Sequence, residues 1–68
     1  MKEIGLDKLK GRYCKIVTQE PGDYGVNVFY AEITDIDHEG GFIIVESDKG
    51  IGVIKLEVVE AIKPTKKR

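Results

Sequence analysis

The densest run of side chains able to do chemistry in this 68-residue chain is Asp35-Ile36-Asp37-His38-Glu39-Gly40-Gly41-Phe42-Ile43-Ile44-Val45-Glu46. It sets acids at positions 1, 3 and 5 of a loop, a glycine at 6 and a glutamate at 12. That spacing approximates a helix-flanked calcium loop, because a hard cation needs six to eight oxygens converging on a tight turn. Both flanks of this run, however, have the pattern of strands, and strand alternation alone puts Asp35 and Asp37 on one face. An acidic hairpin is therefore the simpler reading, with a calcium-binding hairpin as a minor alternative. His38 is the only histidine and Ser47 the only serine. A general base needs a nucleophile, an orienting partner and a pocket. No such set is visible, so no enzyme activity and no cofactor are expected. Gly40-Gly41 and Gly50-Ile51-Gly52 open no helix, so they lack the backbone donors of a phosphate loop. Cys14 is the only cysteine. It lies in the apolar run Tyr13-Cys14-Lys15-Ile16-Val17, which predicts a buried, inert thiol and fits a reducing cytoplasmic compartment.

Binding chemistry is better represented than catalysis. The aromatic side chains are Tyr13, Tyr24, Phe29, Tyr30 and Phe42. On a β-surface such rings can stack on bases. Tyr24 and Tyr30 are expected to be exposed, with Lys15 near Tyr30 across a strand pair. Charge is unevenly spread. Residues 1–17 carry five cations against two acids, residues 18–62 two cations against ten acids, and residues 63–68 four cations. No basic stripe runs through the chain, so any phosphate contact must use the N-terminal segment, Lys55 or the tail.

The elements that must position these residues follow from periodicity. Ile4, Leu6 and Leu9 suit one short helical turn that Gly11 stops, giving an N-terminal helical segment over 1–11. Cys14, Ile16 and Thr18 alternate on one face of a first strand. Glu20-Pro21-Gly22-Asp23 is turn chemistry. In a second strand, 26–36, Phe29, Ala31 and Ile33 face inward and Tyr30, Glu32 and Thr34 outward. Residues 42–45 are apolar on both faces, as for a strand covered on both sides. A fourth strand spans 51–56, with Gly52 marking a bulge or bend, and a fifth spans 58–62. Pro64 is expected to block further pairing, leaving 64–68 as a basic disordered tail. Five short strands over 12–63 predict an all-β domain, a five-stranded antiparallel barrel. A domain this small buries only about 60% of its unfolded surface, so oligomerisation is the natural source of further burial. No apolar stretch approaches the roughly 20 residues of a membrane-spanning helix, and residues 1–5 lack a signal-peptide core.

The pattern from residue 28 onward resembles the Sm-like family of small RNA-associated barrels. Ile36-Asp37-His38-Glu39-Gly40-Gly41-Phe42-Ile43-Ile44 follows the family's first motif. Ile54-Lys55-Leu56-Glu57-Val58-Val59-Glu60-Ala61-Ile62 has the spacing of the second. Gly11-Arg12, Glu20-Pro21 and Ile62-Lys63-Pro64 are similar to features of the related C-terminal barrel domain of the bacterial ribosome-maturation factor. These resemblances imply an Sm-like or SH3-like barrel that binds RNA or a ribonucleoprotein. Asp37 and Lys55 carry over from the family's site. Glu39 and Gly41 occupy its base-reading positions, which points to phosphate contact rather than base readout. The expected contact residues are Lys15, Tyr30, Asp37, Lys55, Lys66, Lys67 and Arg68, in a homo-oligomer. The alternative is a protein-interaction module whose acidic face (Glu32, Asp35, Asp37, Glu39, Glu46, Glu57, Glu60) takes a basic partner.

Overall fold

The computed structural model describes residues 4–22 and 24–67, the Ile4 side chain excepted; Arg68 lies outside the described residues. A single helical turn, α1 (Ile4–Asp7), leads to strands β1 (Tyr13–Thr18), β2 (Asn27–Asp37), β3 (Phe42–Ser47), β4 (Gly50–Lys55) and β5 (Val59–Pro64). A 3₁₀ turn, Leu56–Val58, joins the last two. All pairings are antiparallel and form one sheet in the order β4-β3-β2-β1-β5. No pairing joins β4 to β5 among the described residues, so the ladder is open.

The apolar alternation that defines β1 also sets its facing. Cys14, Ile16 and Thr18 are buried, while Tyr13, Lys15 and Val17 lie on the other face. Opposite them on β2 stand Ala31, Phe29 and Asn27. The core cluster is Cys14, Ile16, Ala31, Ile33, Ile43 and Val45. Ile54 of β4 and Ile62 of β5, from the two edges of the sheet, both pack against it. A flat sheet would hold its edges about 19 Å apart at the usual strand spacing. The sheet must therefore curl for both to reach one core.

Two bulges produce that curl. In β2 the register shifts between Ile33, opposite Val45, and Asp35, opposite Ile44. Thr34 is the extra residue, and its hydroxyl donates to the Ile44 carbonyl at 3.2 Å. Without the shift Asp35 and Asp37 would face the core and Ile36 would face solvent. With it, Ile33 and Ile36 both reach the core and Asp35 is exposed. The second shift lies opposite Val17 and Thr18, which pair with Ala61 and Val59 and leave Glu60 as the extra residue. It lets Val59 and Ile62, also three apart, pack on the same core. A bulge bends its strand and sharpens the twist.

α1 is too short to stand alone. Leu9 packs on the core, and the Gly11 amide donates to the Ile33 carbonyl at 2.6 Å. Gly11, at φ 84°, makes the turn into β1. The 3₁₀ turn is held at both ends, by Leu56 N–H to the Gly41 carbonyl and Gln19 N–H to the Val58 carbonyl, both 2.8 Å.

Three expectations need correction. Phe29 does lie on the core face, opposite Ile16, yet it is 44% exposed. It stands beyond the end of β3, where no strand covers it. Gly52 marks no bulge. It pairs with Val45 in unbroken register, and a Cβ there would make ordinary contact with Val45 at 3.6 Å. Pro64 does not stop pairing. It sits opposite Cys14, and Thr65 N–H donates to the Tyr13 carbonyl at 2.9 Å. Because ladder bonds alternate in direction along a strand, the Pro64 nitrogen faces away from β1, on the free edge of β5, where a missing donor costs nothing.

Ile33→Ala removes a fully buried side chain at the bulge. It should cost about 2–5 kcal/mol, against a total stability of roughly 3–10 kcal/mol for a chain of this size. Urea unfolding would show a partly or wholly unfolded variant; a loss under 1 kcal/mol would contradict the assigned core. Burial also pushes the Cys14 thiol above its ordinary value, partly offset by the Arg12 charge. A thiol reagent should therefore label native protein only as fast as it opens, and urea-unfolded protein at once. Rapid native labelling would place Cys14 outside the core.

Candidate nucleic-acid interface

On the face of the sheet opposite the core, strand register assembles a basic and aromatic surface. Lys15 of β1 stands directly opposite Tyr30 of β2 on one side and Lys63 of β5 on the other. The three form one row across three strands. Tyr13, two residues from Lys15, shares its face. Tyr13, Lys15, Tyr30, Thr65 and Lys66 line an open hollow of about 490 Å³. The Lys67 ammonium lies 6.0 Å from the Tyr13 ring centre, within the range of cation–π attraction. Tyr30 is 52% exposed, so its ring is available to a ligand.

The electrostatics of this surface are unbalanced. Lys15 and Lys63 oppose each other across the ladder, where like charges destabilise a sheet. Lys66 and Lys67 add to the same side. Glu32, opposite Tyr13, is the acid that borders the row. An anion seated over the row would relieve the lysine–lysine repulsion, and an exposed tyrosine beside it offers a stacking platform.

Of the residues expected to act together, the structure gathers Lys15, Tyr30, Lys66 and Lys67. Asp37 and Lys55 form a separate pair of sites. They share a row through Phe42, which stands opposite both, but neither lines the hollow. Asp37 serves the β2–β3 turn. Its carboxylate accepts the Gly40 amide at 2.7 Å and its carbonyl the Gly41 amide at 2.8 Å. Lys55 is exposed at the end of β4. Arg68 falls outside the described residues. Tyr13 joins the site without having been expected there, and Lys63, expected only as one of the basic C-terminal cations, joins it beside Lys15. Tyr13 was signalled by its two-residue spacing from Lys15, whereas Lys63 depends on the β1–β5 register.

Two acids of the hairpin, Asp35 and Asp37, are engaged in local structure. Asp35 accepts the Ile36 amide at 2.9 Å and pairs with Lys10 at 3.3 Å. The amide bond and then the Lys10 ammonium hold its carboxyl below the ordinary range. Asp7 lies 2.6 Å from His38 Nε2. These contacts moor the N-terminal turn to the β2–β3 hairpin. The hairpin is flanked by strands rather than helices, and among the described residues no three His, Cys, Asp or Glu side chains gather as a metal site.

No protein-family model, curated protein or solved structure matches this chain. No helix among the described residues is long and apolar enough to cross a membrane.

A carboxyl held low in the folded state adds stability above its unfolded value of about 3.9, and loses it as pH falls through the folded value. Asp35→Asn should therefore be less stable than wild type near pH 7, with the two unfolding curves converging at acid pH. A gap in urea midpoint that persists at pH 2 would mean the Asp35 charge is not its source.

Proposed function

We propose that this chain is a non-catalytic module of Sm-like type, its curled five-stranded sheet forming a small half-open barrel that binds RNA or a ribonucleoprotein through the phosphate backbone. The observation that carries the reading is the Lys63–Lys15–Tyr30 row beside the Tyr13–Lys66 hollow. Four lysine ammoniums on one side suit a phosphate chain, and two tyrosines suit unstacked bases of a single strand. The five-stranded antiparallel order supports the Sm-like resemblance, whose carried-over Asp37 and Lys55 lie apart from this row. In this reading the protein works in the cytoplasm, assembled as a homo-oligomer. The acidic-face reading has less support, because Asp35 and Asp37 are occupied by local partners.

Neutralising about four phosphates of a single strand gives a log–log salt slope of roughly −3. Fluorescence anisotropy with a labelled single-stranded oligonucleotide should show that slope between 50 and 300 mM salt. Lys15→Gln and Lys63→Gln should each weaken binding and flatten the slope by about 0.7. Tyr30→Ala should cost about 1–3 kcal/mol of affinity with the slope unchanged. No binding at 50 mM salt, or equal binding by the Lys15→Gln, Lys63→Gln double variant, would sink the reading.

A further inference from the structure

β2 changes partner part-way along its length. Residues 27–32 pair with β1, whereas pairing with β3 begins only at Glu32 opposite Glu46. The β3 side of residues 27–31 is therefore an unpaired edge. Ile33 directs both its amide and its carbonyl toward Arg12 and Gly11, on the β1 side. Ladder bonds alternate in direction along a strand. Val28 and Tyr30 consequently present their amides and carbonyls to the open edge.

This edge borders a cleft of about 610 Å³. Among the described residues seven large hydrophobic side chains are exposed, and five of them line this cleft: Val28, Phe29, Tyr30, Ile51 and Val53. Ile51 and Val53 are 75% and 64% exposed. Charge is nearly absent from the lining. In a chain that is 34% charged, the cleft holds only Asp48 and Lys49, a neutralising pair at the β3–β4 turn. Residues 26–31, Val-Asn-Val-Phe-Tyr-Ala, carry neither charge nor proline. Native proteins usually guard open edges with both. β5 follows that rule with Glu60, Lys63 and Pro64.

We propose that this edge pairs with the same edge of a second copy, forming a two-fold antiparallel β2–β2 dimer centred on Phe29. Val28 of one copy then stands opposite Tyr30 of the other, and the two residues exchange amide–carbonyl bonds. By symmetry that gives four hydrogen bonds. Phe29 meets Phe29 at the non-bonded position between them, where side chains come closest. β3 already occupies the edge at Glu32, opposite Glu46, so only residues 27–31 of each copy pair, and these carry no charge. The incoming strand covers Ile51 and Val53 as it fills the cleft. A neutral, self-matching edge fits a second copy of the chain and gives a polyanion or a charged peptide nothing to hold. The inference deepens the homo-oligomer part of the proposed function and needs no nucleic acid, although Tyr13 and Tyr30 line both the cleft and the basic hollow.

Because Phe29 opposes itself, charge placed there meets its own kind. Sedimentation equilibrium at about 100 µM should give twice the 7.6 kDa chain mass for the unaltered protein. Phe29→Lys and Phe29→Glu should each sediment as monomers, and their equimolar mixture should recover the dimer mass. Should either Phe29 variant fail to fold by circular dichroism, Ile51→Lys supplies the same reading, since that exposed side chain lies under the incoming strand. It should weaken dimerisation at least tenfold. A monomeric unaltered protein, or a multimer that survives in Phe29→Lys and Ile51→Lys, overturns the proposal. Oligonucleotide anisotropy on the same samples separates the two readings. Dimer loss with binding retained by the monomer is expected, whereas an unaltered dimer that binds no oligonucleotide fails the nucleic-acid reading alone.

Discussion

A small core supplied by a single sheet needs apolar side chains from strands at both of its edges, and strand geometry resists this. Side chains alternate with a period of two, yet Ile33 and Ile36 on β2 and Val59 and Ile62 on β5 are spaced by three. Each pair reaches the core only because one extra residue, Thr34 or Glu60, breaks the alternation between them. The same irregularities bend the strands they interrupt. They re-aim the side chains and curl the sheet in one step, so the dry interior and its curvature have a common cause. Regular strands with these residues would bury Asp35 and Asp37, a cost no local hydrogen bond could offset.

The bend in β2 also organises the surface. Its first half lies with β1 and β5, its second half with β3 and β4. The first half carries Tyr30 into a row with Lys15 and Lys63 on one face, while its outer margin is left unpaired. The basic-aromatic row and the apolar cleft are thus two products of one long strand shared between two neighbourhoods. Their chemistry differs sharply, cationic in one case and neutral in the other, although Tyr13 and Tyr30 border both.

Local pattern made much of this legible. Alternation identified β1 and its buried face, glycine and proline marked the turns, and the number of strands followed. The facing of Lys15 toward Tyr30 was also accessible, because one turn at 20–25 joins their strands. What escaped depends on long-range register. Lys63 meets Lys15 only through pairing of strands far apart in the chain. Phe29 has the spacing of a core residue, but its cover depends on where β3 ends. Gly52 has the look of a bulge. The real bulges fall at Thr34 and Glu60, residues without backbone peculiarity, chosen by the packing demands of their neighbours. Pro64 escaped because its effect depends on which way its nitrogen faces.

β1 sits between β2 and β5, so the strand nearest the N-terminus needs the last strand as its second neighbour. During synthesis on a ribosome, residues up to Thr65 must emerge before Tyr13–Thr18 is paired on both sides. Until then Ile16 lacks the cover of Ile62, and the other four strands remain an incomplete sheet. Complete pairing of β1 therefore waits for β5, and pairings so distant in sequence slow folding relative to local contacts. A nascent chain halted even one strand short would expose the flank of β1 to any neighbour able to add a strand of its own.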